Sequence, residues 1–292
     1  MRMLLEILVD GFVISALYSL GAAGFTIIFG VSGVLNLAHG GLMVVAAMVA
    51  WMIAGKFGLG PYWGALGGIG AGVVIAYLTY FVVVRPITRS RRIPEIEKEI
   101  FVLTATLLWG IMIQEGLAYL FTSNPVAVPR LVGGITSVFG VNTPTNELVI
   151  GGAAWLVIGL LWLFVTRTRL GKAVLAASIN PRGLALLGFD LQRIQWFVWG
   201  LYGVLGGVAG VLVATFVGAS SGEVPSLTAS AFSIVVLGGL GSVPGSLVAA
   251  YIVGYVETIT AYLVSPSLRN LPALFILILI LYVRPQGLFG RR

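Results

Sequence analysis

Residues 30–43 read GVSGVLNLAHGGLM, and they interrupt a run that is apolar on both sides. The stretch holds the only histidine of the chain, His39, close to Asn36 and set among glycines. Backbone that leaves the helix inside a bilayer needs protein or a water-lined cavity to satisfy its polar groups. In transporters, interrupted apolar segments of this kind mark the substrate path. Composition agrees with a membrane setting. Of 292 residues 59% are hydrophobic and 9% charged, and mean hydropathy is +1.05. Soluble domains carry about 25% charged residues. The chain therefore reads as an all-α, polytopic helical membrane protein.

A span needs about 20 apolar residues. Candidate spans cover 4–29, 37–54, 62–84, 100–121, 148–165, 195–217, 227–264 and 271–283. The run 227–264 is itself interrupted by GGLGSVPG at 238–245. This gives about eight or nine hydrophobic segments in a single transmembrane domain, 1–292, with two broken or reentrant helices. Gly203, Gly206, Gly207 and Gly210 form two overlapping small-xxx-small pairs, which predict a helix-contact face.

The formal net charge is +7. Arg85, Arg89, Arg91, Arg92 and Lys98 form one cluster, Arg167, Arg169, Lys172, Arg182 and Arg193 a second, and Arg284, Arg291 and Arg292 a third. Because these cations fall between apolar runs, the charge reads as topology and not as a nucleic-acid surface. The positive-inside rule puts all three clusters on the cytoplasmic side. Residues 85–99 are then expected to be a cytoplasmic loop. The proline-, asparagine- and threonine-containing stretch 122–146 is expected to be external. Cysteine is absent, which excludes a disulfide framework and a cysteine metal site. No cofactor and no metal are expected.

Polar groups at membrane depth are costly and tend to be functional. On that ground the candidate translocation-pathway residues are Asn36, His39, Gly40 and Gly41 at the first break; Gln114 and Glu115 in the span 100–121; Gly238, Gly239 and Gly241 at the second break; and Glu257. The plainer reading makes the glycines turns between helices and the acids partners in interhelical hydrogen bonds.

The cytoplasmic stretch 176–191, AASINPRGLALLGFDL, carries local signals of a short helix over 181–187. Asn180 is a good N-cap, Pro181 suits the first helical position, and Gly188 suits the position after the helix, where φ is positive. Arg182 flanks the apolar residues Leu184, Leu187 and Phe189. Two turns of helix are not stable alone in water, so this one needs a surface to dock on. That surface is its own bundle, lipid headgroups, or a groove of a cytoplasmic partner.

Taken together, GVSGVLNLAHG (30–40), ASINPRGLALLGFD (177–190), VLGGLGSVPGSLVAAYIVGYVE (236–257) and VRPQGLFG (283–290) resemble the permease subunits of ABC importers of the branched-chain, or hydrophobic, amino acid class. The resemblance implies a bacterial inner-membrane importer. Its partners would be a second permease subunit, identical or paralogous, two cytoplasmic ATPase subunits and an extracytoplasmic substrate-binding protein. It also implies that helix 181–187 couples to the ATPase. One position departs from the pattern: many members carry a glutamate after the His-Gly pair, where this chain has Gly41. Related permeases carry urea and short amides, so the implied substrates are branched-chain amino acids or a related small solute. The chain has no GxxxxGK[ST] phosphate-binding loop. It is therefore expected not to be an enzyme, with ATP hydrolysis on a separate subunit. The competing readings are a secondary, proton-coupled carrier using Glu115, Glu257 and His39, and a passive small-solute channel.

Overall fold

The computed structural model describes residues 2–121, 124–138 and 141–290. Helix α1 is Arg2–Ser32, and α2 is His39–Trp51, extended by a π-helical turn over Met52–Lys56. Helix α3 is Pro61–Leu78 and runs on through a π turn, Thr79–Val84, into α4, Arg85–Arg89. Then follow α5 (Glu95–Leu120), a β-hairpin of β1 (Ile135–Val138) and β2 (Val141–Pro144), and α6 (Thr145–Arg167). Two short helices, α7 (Arg169–Ile179) and α8 (Pro181–Leu186), lead into α9 (Leu191–Phe216). The chain closes with α10 (Val224–Gly238), α11 (Val243–Leu263) and α12 (Leu271–Val283). Among the described residues, 8 helices are long and apolar enough to cross a membrane. Helix α10, at 15 residues, falls short of a full crossing. It accounts for the eight-or-nine ambiguity of the sequence.

Helix α1 is the centre of the bundle and is buried along most of its length. It packs on α11 and α9, with α6 on a third side. Thr26 Oγ1 lies 2.6 Å from Ser246 Oγ, Ser15 packs against Gly254, and Tyr262 bonds Asp10. These pairs make α1 and α11 antiparallel. The glycine stripe of α9 splits between two neighbours. Gly203 and Gly207 meet the backbone of α3 at Val73 and Ile69, while Gly206 and Gly210 meet α2 at Leu42 and Met43. Each of the two overlapping pairs read from the sequence thus serves a different helix. A Cβ at Gly203, Gly207 or Gly210 would collide with the facing backbone, and one at Gly206 with the Leu42 side chain.

All three cationic clusters lie at one end of the bundle as far as they are described: Gly30 meets Ser178 and Gly241, Tyr80 just before Arg85 bonds Gln195 at the start of α9, and the tail after Arg284 bonds Leu237 at the end of α10. Arg291 and Arg292 lie outside the described residues. At the opposite end sit the hairpin, the loop before it and the turns after α9 and α11. Val126 and Ala219 form an isolated bridge, and Asn146 accepts a hydrogen bond from Leu131 N at 2.9 Å.

The expected loop 85–99 is mostly helix, because the α3 helix continues to Arg89 and α5 begins at Glu95. Proline inside a helix lacks the N–H and its ring meets the carbonyl four residues back. For Pro86 that carbonyl belongs to Val82, which lies in the wider π turn Thr79–Val84. The helix therefore passes Pro86, and only residues 90–94 remain as connection.

Candidate functional site

The first break is narrower than 30–41: the chain is non-helical over 33–38. It turns at Gly33 and climbs back into the bundle. A side chain at Gly21 would stand 3.5 Å from His39 Nε2. Gly21 lies about 16 Å of helical rise before the end of α1, so α2 starts deep inside the protein. Protein groups satisfy the exposed backbone. Leu37 N donates to Thr106 Oγ1 at 3.1 Å, Ala38 N to Asn36 Oδ1 at 3.1 Å, and Gly40 N to Thr228 Oγ1 at 3.0 Å. Asn36 Nδ2 donates to Tyr202 Oη at 2.9 Å, and His39 Nδ1 lies 3.0 Å from the same oxygen. The imidazole is fully buried between Phe25 and Tyr202.

These residues brace the interior. Asn36, His39, Gly40 and Gly41 line neither of the two cavities described below. Gly40 abuts Val224 and Thr228 of α10, and Gly41 abuts Ile113 of α5.

The second break spans 239–242, between α10 and α11, at the cationic end. Its partner was not legible in the sequence. Leu288 N donates to Leu237 O at 2.7 Å and Phe289 N to Gly238 O at 3.1 Å. The tail 284–290 thereby satisfies carbonyls left open at the end of α10. Gly239 (φ +98) has no room for a Cβ beside Gly290, and Gly287 (φ +75) none beside Gly239. Gly238 is packed against Gly245, and Gly241 faces Gly30. The second break thus lies at the cationic end, where Gly241 meets Gly30 near the end of α1.

The remaining pathway candidates are dispersed. Glu115 is exposed on the outer face of α5. Gln114 lines a cavity of about 260 Å³ with Leu37, Gly110 and Thr228. Glu257 is fully buried. Tyr18 Oη donates to its Oε2 at 2.6 Å, and Ser230 Oγ to its Oε1 at 3.0 Å. Arg269 Nε stands 3.9 Å from Oε2. One carboxylate thus ties α1, α10, α11 and the turn after α11 together across as many as 239 positions of sequence. Beside this cluster, at the end away from the cations, lies a cavity of about 340 Å³. Tyr18, Ser230 and Arg269 form part of its wall.

The short helix α8 forms as its caps dictate. Gly183 N donates to Asn180 Oδ1 at 2.9 Å, and Pro181 opens the helix. At the other end Gly188 has φ +84. Gly188 N bonds Ala185 O at 3.0 Å and Phe189 N bonds Leu184 O at 3.4 Å, the paired closure of a Schellman motif. Asn180 also closes α7, and Asp190 caps α9 through Gln192 N at 2.9 Å.

The apolar face differs from the expected one at Leu184. That side chain is 5% exposed and joins the core of its own chain, because the turn from α7 aims it inward. The residues left outward are Leu186 at 89% and Leu187 at 77% exposure, with Phe189 and Ile179 nearby in sequence. Arg182 is exposed too.

The family model described as "Branched-chain amino acid transport system / permease component" matches residues 7–283. The high-affinity branched-chain amino acid transport system permease protein LivH of Salmonella typhimurium is 28% identical over 301 residues, covering 98% of this chain and 96% of that protein. BraD of Pseudomonas aeruginosa, of the same description, is 28% identical over 302 residues, with 98% and 96% covered. In three dimensions the chain is similar to PsaBC from Streptococcus pneumoniae in complex with Fab, with TM-score 0.52, 14% identity, and 97% and 94% of the two chains covered. That likeness speaks for the fold. This multi-pass membrane chain belongs to the family of permease components of branched-chain amino acid transport systems.

Proposed function

We propose that the chain, as a single transmembrane domain over 1–292, is the permease subunit of an ATP-driven importer for branched-chain or other hydrophobic amino acids in a bacterial inner membrane. It works with a second permease, two cytoplasmic ATPase subunits and an extracytoplasmic substrate-binding protein. The observation that carries the reading is α8. A helix of six residues is capped at both ends, held on the bundle by Leu184, and left with Leu186 and Leu187 outward at the cationic end. Apolar side chains so exposed on a rigid cytoplasmic knob suit a groove in a partner. Movement of that partner would reach α6 and α9 through α7 and α8, which pack on them.

The groups a proton-coupled carrier would use are not gathered on one path. Glu115 is outward, Glu257 is engaged by hydroxyls, and His39 shares Tyr202 with Asn36. The chain has no cysteine, so Leu187→Cys gives a single reactive thiol. Loading that thiol with a maleimide–benzophenone reagent and irradiating native membranes is expected to join this variant to an ATPase subunit. Cross-links to no ATPase, with the thiol freely labelled in the intact complex, would refute the reading.

A further inference from the structure

The cavity at the end opposite the three cationic clusters is not explained by bracing. Its apolar wall includes Leu17, Val44 and Leu227, and its polar wall Tyr18, Arg269 and Glu223. Its volume, about 340 Å³, is in the range of small-molecule sites, roughly 300–1,000 Å³.

Arg269 enters this space with its side chain only 21% exposed. Among the described residues the carboxylate within 4 Å of it, that of Glu257, stands off at 3.9 Å and already accepts from Tyr18 and Ser230. Glu257 therefore positions the guanidinium without closing a bidentate fork on it. A planar fork of donors held beside a cavity suits a ligand carboxylate. Glu223, exposed at the rim of the cavity and bonded by Ser226 Oγ at 2.9 Å, supplies the opposite charge in its lining. A cation, an anion and an aliphatic surface around one chamber complement a zwitterion with a branched aliphatic side chain. A simple anion would leave Glu223 and the apolar wall unused.

We infer that this cavity, lined by α1, α2, α9, α10 and the turns after α9 and α11 of one chain, is a binding site for a zwitterionic aliphatic amino acid. Arg269 takes the carboxylate, Glu223 the ammonium, and Leu17, Val44 and Leu227 the side chain. The inference rests on the importer reading and adds a substrate site inside the single permease.

The test uses the intact complex in nanodiscs and proteoliposomes. The probes are L-leucine, L-leucinamide, which lacks the carboxylate, and 4-methylpentanoate, which lacks the ammonium. Uptake of leucine with Arg269→Gln is expected to fall at least tenfold while the ATPase subunits stay bound. Glu223→Gln is expected to weaken discrimination against 4-methylpentanoate. Leu227→Ala enlarges the chamber and is expected to shift preference from leucine toward phenylalanine. Because Arg269→Gln leaves Glu257 without its cation and can disturb folding, Ala261→Phe at the cavity wall is the second block, and it too is expected to cut uptake. A wild-type complex that transports leucine, with all four variants unchanged in rate and selectivity, would overturn the site alone. A wild-type complex that carries no aliphatic amino acid would overturn the importer reading, and the site with it.

Discussion

Truncating Leu186 and Leu187 together separates docking from folding. Both are almost fully solvent-facing in the single chain, at 89% and 77%, so their removal costs the permease itself little. Burial of a leucine against a partner contributes about 1.5–3 kcal/mol. If both are covered by the ATPase subunit, the double alanine variant loses about 3–6 kcal/mol of docking energy. At 1.4 kcal/mol per decade, that weakens association by roughly two to four orders of magnitude. Leu184→Ala is the internal contrast. It removes a core side chain, for which about 2–5 kcal/mol of the chain's own stability is expected to go. The assays are thermal unfolding of the permease in detergent and titration of ATPase subunits onto it. The double variant should melt like wild type and fail to hold ATPase; Leu184→Ala should melt early. Wild-type ATPase affinity in the Leu186→Ala/Leu187→Ala variant would refute the docking assignment.

Gly188→Val forces a β-branched residue to φ +84, should cost about 1–2 kcal/mol, and should uncouple ATP hydrolysis from uptake, read as hydrolysis no longer stimulated by substrate. Tyr202→Phe removes the shared partner of Asn36 and His39; each buried polar group left unpaired costs about 1–3 kcal/mol, and the loss should appear as a lower melting temperature with faster hydrogen exchange over 33–40. His39→Ala should impair uptake while leaving insertion in the membrane intact, measured by uptake against membrane yield. Ending the chain at Val283 exposes the carbonyls of Leu237 and Gly238 and should raise protease access at 239–242, which a limited digest would detect.

Spans were legible because a membrane helix is written as an unbroken apolar run. The last one, Leu271–Val283, has the boundaries that the sequence predicts. Local chemistry was legible too: Asn180 and Gly188 cap α8 as their residue types require. What the sequence hides is which faces meet. Leu184 and Leu186 are equally apolar, yet the turn out of α7 sends one inward and the other out. Glu115 and Glu257 look alike in their runs, but only Glu257 finds hydroxyls, from Tyr18 and Ser230. The tail motif 283–290 carries no local sign that its N–H groups close α10. The loop reading of 85–99 failed because charge and proline outweighed a helix that the π turn allows to continue.

The most direct measurement is uptake of radiolabelled L-leucine into proteoliposomes holding the complex purified from its native membrane, with ATP or a pH gradient as the only energy source. Accumulation is expected to require ATP and the substrate-binding protein and to be indifferent to the pH gradient. Accumulation driven by the gradient without ATP, or rapid equilibration without either, would rule out an ATP-driven importer.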